Sequence, residues 1–154
     1  MCFSPKNAFS RKRLAIGMLF LALSANESYG LVRIADDRGG MIGRYIEYFT
    51  AIRHTKEQVI VDGNCLSACT LVLGLIPRNR ICVTHRALFG FHAAWMPTVE
   101  RGTVVDAMGT KLLWEIYPSS VREWLRSRGG LQKKMVFLAG EELAAIFPVC
   151  LNRP

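Results

Sequence analysis

A chain of 154 residues, 51% hydrophobic and 21% charged, bounds one domain with a core and excludes a disordered or low-complexity protein. Its formal charge of +8 does not mark a nucleic-acid surface. Beyond residue 30 the basic residues are scattered, with no run longer than Lys133-Lys134, and they are not interleaved with aromatics.

The first 30 residues have the pattern of an export signal. Lys6, Arg11, Lys12 and Arg13 precede the apolar run "LAIGMLFLALSA", and small residues offer cleavage near Ala25 or after Ser28-Tyr29-Gly30. The run is shorter than the roughly 20 residues that span a bilayer. The expectation is a periplasmic or secreted product, residues 31–154, with no membrane association after cleavage. Of the 20 Lys/Arg and 12 Asp/Glu, the signal takes four and one, which leaves 16 and 11 and a net charge of +5.

"LVRIA" reads as a short strand, and "DDRGG" as a turn in which Gly39 and Gly40 can adopt positive φ. Ile42, Tyr45, Ile46, Phe49 and Ile52 recur at helical spacing. "QVIVDG" is a β-branched run suited to a buried strand. "LSACTLVLGLI" is apolar all round and reads as a buried helix stopped by Pro77. "RICVT" and "ALFGFHA" read as two further strands, residues 103–115 and 118–127 as two amphipathic helices, and "MVFLAGEELAAIF" as a short strand or turn with a last helix. Strands alternating with helices predict an α/β layered fold, with the strand–turn–helix of residues 59–75 at its centre.

Ser67 opens the buried helix, where free backbone N–H groups and the positive end of the helix dipole face outward. Such a serine is usually a cap. An oxyanion forming beside it would also meet the amide of Ala68. A nucleophilic serine needs a base. Of the three histidines, His54 and His85 fall in polar surroundings, while His92 ends the apolar run "ALFGF" and must find a partner.

Cys65, Cys69, Cys82 and Cys150 remain after export, an even number that favours disulfides in an oxidising compartment. Cys65, Cys69, Cys82 and His85 have a spacing superficially like a zinc finger. The intervening residues read as a hydrophobic helix, so disulfides are the better reading, with Cys69–Cys82 the preferred pair. No metal or cofactor site is assigned. Trp95, Met96 and Pro97 either line a cleft or pack, packing being the commoner outcome. Trp114, Tyr117 and Trp124 form a core-facing stripe.

A glycine pair, an apolar helix, a strand, Gly-x-x-x-Ser-Ala at 63–68, a buried helix, a strand and "GFHA" follow one another in an order that resembles the Clp protease/crotonase-like superfamily. The likeness covers roughly residues 37–147 and is nearest to that superfamily's small exported proteins. It implies a single-domain layered α/β fold, short at its N-terminus. It also implies Ser67 as nucleophile, His92 as general base 25 residues later, and backbone oxyanion donors at Gly40 and Ala68. "FLAGEELAAIF" resembles the closing segment. The family's acid belongs in the loop before that segment, which here reads "GGLQKKM" and holds none; Asp106, Glu115, Glu123, Glu141 and Glu142 are the available substitutes. The implied function is a serine hydrolase, peptidase-like, acting on a peptide or protein. The alternative is an inactive binding or assembly module on the same fold. A homo-oligomer is left open.

Overall fold

A computed structural model describes residues 30–100 and 102–151. The expected export signal and its cleavage points as far as Tyr29 lie outside the described residues. Strand β1 (Leu31–Asp37) leads through the glycine turn to helix α1 (Ile42–Thr55) and into β2 (Gln58–Leu66). The β-branched run makes β2 the central strand, and Val59 and Val61 are buried. β1 lies parallel on one side of it, with a bulge between Ile34 and Asp36. The bulge falls where a side chain at Gly63 would drive its Cβ to 1.7 Å from the Ala35 carbonyl oxygen, so the two strands meet closely there only because residue 63 is glycine.

On the other side, β2 is shared by two parallel strands. β3 (Ile81–Val83) pairs with residues 59–61, and β4 (Leu88–Phe91) pairs with residues 64–66. β7 (Val136–Ala139) closes that side antiparallel to β4. Between β2 and β3 the chain forms a 3-10 turn, Ser67–Leu71, then one α-turn, α2 (Val72–Leu75). Residues 68–73 are all buried, as a helix without a polar face must be, though its first half is more tightly wound than the expected α-helix. α1 packs against it through Phe49 and Ile52.

The segment after β4 departs from expectation. Residues 95–105 form an antiparallel hairpin, β5 (Trp95–Thr98) and β6 (Gly102–Val105), so a helix does not begin at 103. Helix α3 (Ala107–Ile116) starts only after Asp106, whose Oδ1 accepts the Gly109 N–H at 3.0 Å and caps it. α4 (Ser119–Ser127) follows Pro118 as expected, and α5 (Gly140–Ile146) closes the fold. Phe49, Phe89, Phe91, Leu71, Tyr117, Leu125, Leu138 and Phe147 form one core. Trp114 and Trp124 pack partly buried against it, as the stripe predicts. Among the described residues no helix is long and apolar enough to cross a membrane.

The four cysteines among the described residues are all paired, but not as preferred from the sequence. The bonds are Cys65–Cys69 and Cys82–Cys150. Cys69 turns back toward the end of β2 instead of reaching β3. Cys82 on β3 faces the C-terminal segment, whose Pro148 carbonyl accepts the Val83 N–H while the Cys150 N–H donates to the Val83 carbonyl.

Candidate functional site

Ser67 follows directly on β2, and its backbone is left-handed, with φ +56°. For a residue with a Cβ that conformation costs roughly 1–2 kcal/mol. Thr70 Oγ1 donates to the Ser67 carbonyl at 2.6 Å. Its oxygen therefore accepts from the buried Tyr117 hydroxyl, also at 2.6 Å. Burial holds the Tyr117 phenol well above its ordinary titration range, and the Thr70 bond only partly counters that, so the tyrosine stays a proton donor. On the opposite side the turn rests on Gly39, φ +80°. A Cβ there would lie 2.4 Å from the Leu66 carbonyl oxygen, 2.6 Å from Ser67 Cβ and 2.8 Å from the Ala68 nitrogen.

The glycine turn is itself fixed by Asp37, which accepts the Gly39 N–H at 2.8 Å and the Tyr45 hydroxyl. Gly39's amide is therefore engaged. Of the two glycine amides, Gly40's is the one left for a ligand. Gly40, Ala68, Ser67 and His92 all line one cavity of about 580 Å³. Ala68 belongs to the first helical turn, whose amides have no acceptor within the helix.

His92 is held from both sides. Phe91, fully buried at the end of β4, meets Tyr117 edge-on at 5.4 Å between ring centroids and Trp124 at 5.8 Å. The Ala93 N–H donates to the Gln132 carbonyl at 2.7 Å. The loop "GGLQKKM" thus supplies a backbone acceptor to the residue after His92. The ring faces Ser67, with His92 Nε2 2.8 Å from Ser67 Oγ. Its other nitrogen, Nδ1, lies 2.7 Å from the Ala93 carbonyl oxygen. A carbonyl only accepts, so Nδ1 carries the proton. In the neutral ring Nε2 then presents its lone pair to the serine hydroxyl.

The structure thus brings Ser67, His92, Gly40 and Ala68 around one space. His54 and His85 are exposed elsewhere. Of the acids weighed from the sequence, Asp106 lines the same cavity but caps α3, Glu142 pairs with Arg128 and accepts from Trp124, and Glu115 pairs with Lys111. None of these contacts is with His92. Trp95 and Pro97 prove to be cavity wall on the exposed β5, not packed core. Sequence reasoning did not place Arg38, Met41, Ile42, Gly43, Ala94, Leu113 and Met135 at the site, and they complete the wall. It also missed the Thr70–Tyr117 support. No spacing connects these residues, since five separate segments contribute them.

No protein-family profile matches the chain, and no curated protein matches it in sequence. Among solved structures it is similar to a peptidase from Plasmodium falciparum, with 12% identity, a TM-score of 0.50, and coverage of 82% of this chain and 80% of that one. It is also similar to a ClpP1 mutant from Listeria monocytogenes, with 12% identity, a TM-score of 0.45, and coverage of 79% and 72%. The chain is a single α/β domain that shares its fold with the Plasmodium falciparum peptidase.

Proposed function

We propose that this chain is an exported serine hydrolase of peptidase type, acting on a peptide or protein after loss of residues 1–30. The observation that carries the reading is the 2.8 Å contact between Ser67 Oγ and His92 Nε2, in a ring whose Nδ1 lies 2.7 Å from the Ala93 carbonyl oxygen and donates to it. In the reaction Nε2 takes the hydroxyl proton as Ser67 Oγ bonds to the substrate carbonyl carbon. The negative charge that develops on the carbonyl oxygen is met by the Gly40 and Ala68 amides, a kind of contact worth about 3–4 kcal/mol of barrier each. The imidazolium returns its proton to the departing amine, and a water repeats the sequence to free Ser67. Nothing in this chemistry calls for a cofactor.

The neutral Ala93 carbonyl stabilises the imidazolium less than a carboxylate would. Loss of a triad carboxylate lowers turnover by about 10⁴-fold elsewhere, so a slow enzyme is expected. Purified protein treated with a fluorophosphonate should gain one covalent adduct on Ser67 by intact mass and peptide mapping. Ser67→Ala should gain none. A folded wild-type protein that stays unlabelled would favour the alternative, a non-catalytic binding or assembly module on the same scaffold.

A further inference from the structure

The five residues "CLSAC" close on themselves. Cys65 stands near the end of β2 and Cys69 in the first turn after it, both fully buried, with their Cα atoms 5.2 Å apart. A strand continued over the same four steps would separate them by about 13 Å. The chain must therefore leave the extended conformation and turn within Leu66, Ser67 and Ala68, and Ser67 is the middle one.

Among the described residues only Lys56 and Ser67 combine a side chain with positive φ. Lys56 is the C-cap of α1, where a left-handed residue is a common way to stop a helix. Ser67 begins a 3-10 turn, where no left-handed residue is called for, and its side chain is turned to His92. Its conformation must be imposed from outside. The Thr70 bond and the contact with Gly39 contribute, but each can yield. The bridge is the one covalent restraint on the turn.

The two bridges differ in kind. Cys82–Cys150 closes a separation of 68 residues and Cys65–Cys69 a separation of four. Restriction of the unfolded chain grows with loop length, so the short bridge contributes least to general stability. We propose that the Cys65–Cys69 bridge is a positioning element for the serine: it holds Ser67 in the left-handed conformation that aims Oγ at His92 Nε2. The catalytic consequence rests on the serine hydrolase reading. The geometric claim does not.

Both can be read separately. In wild-type protein the His92 ring nitrogens are observed by long-range proton–nitrogen NMR, assigned with His92→Gln. Ser67→Ala marks where they move when the hydroxyl is gone. Cys65→Ala/Cys69→Ala is expected to shift them toward the Ser67→Ala positions and to slow fluorophosphonate labelling about 100-fold, the scale of a 1 Å misplacement. Cys82→Ala/Cys150→Ala should leave ring signals and labelling rate unchanged while lowering the melting temperature more. His92 signals that stay at wild-type positions in folded Cys65→Ala/Cys69→Ala would overturn the proposal. If that variant does not fold, Cys65→Val/Cys69→Ala refills the space of the sulfurs and takes its place. Failure of both to fold would also overturn it, because the bridge would then serve the whole fold. If wild-type protein takes no label, the hydrolase reading fails, yet the ring signals still decide the positioning claim.

Discussion

At Gly39 one hydrogen atom faces the Leu66 carbonyl and the Ser67 turn where a methyl group would collide with three backbone or Cβ atoms. None of those neighbours is the far end of a flexible chain, so the collision can be relieved only by moving the Ser67 turn or the glycine turn. Left-handed φ at residue 39 adds its own strain once a Cβ is present. Gly39→Ala is therefore expected to displace Ser67 and the Ala68 amide together from their positions facing His92. Labelling should slow about 100-fold, with a stability loss of about 1–3 kcal/mol. Labelling kinetics beside a urea titration check this, and unchanged kinetics would remove Gly39 from the site. Ser67, His92 and the glycine pair stood out through a hydroxyl at a strand end, a polar ring closing an apolar run and a Gly-Gly turn, but only the superfamily's order of elements joined them into one site, and of the pair Gly39 alone takes positive φ. Thr70 and Tyr117 were not, since a threonine in a buried helix and a tyrosine in an aromatic stripe read alike whether or not they hold a neighbouring carbonyl.

Among the elements, β2 does more than carry the serine. Asp62, buried near its middle, accepts from Arg86, Thr84 and Arg33, so that β1 and the loop after β3 are tied to the central strand. Hydrogen bonds from Arg86, then Thr84, then Arg33 hold the carboxyl well below its ordinary value of 3.8, against the opposing effect of burial. A depressed folded-state value means the contribution is fully present above the unfolded value and is lost progressively as pH falls from there through the folded-state value. The melting temperatures of wild-type and Asp62→Asn protein should therefore be far apart at pH 7, begin to converge below about pH 4 and close most of the gap only below pH 3. A gap that is the same at both ends of that range would mean that Asp62 is not charged in the folded state. The Asp-Gly step at 62–63 had suggested only a strand end; that β2 runs on to Leu66 depends on β1 and β4, which flank its last residues. The hairpin at 95–105 was hidden for a related reason. Its strands are largely exposed on both faces, so they lack the alternation that marks a half-buried strand, and Pro97 counts against a strand except at an edge. The Cys65–Cys69 pairing depended on a turn through a left-handed serine, which no propensity favours.

For the molecule as a whole, the sheet has one join that hydrogen bonding alone would hold weakly. β3 has three residues, and beyond its pairing with β2 it meets the C-terminal segment through a single parallel bridge at Val83–Val149. Cys82–Cys150 fastens that segment covalently. By the chain-entropy argument, a loop this long restricts the unfolded state by about 4 kcal/mol, against about 2 kcal/mol for a loop of five residues. Cys82→Ala/Cys150→Ala should therefore lower the melting temperature by roughly 10–20 °C at this domain size. It should also steepen the urea dependence of unfolding, because an unfolded chain freed of the long cross-link exposes more surface. Cys65→Ala/Cys69→Ala, whose loop is short, should leave that slope nearly unchanged. Parallel urea and thermal titrations of the two variants test this ordering. If the short bridge proves to contribute as much as the long one, its effect lies in folded-state packing around two fully buried sulfurs, and the entropic ranking of the two bridges is wrong.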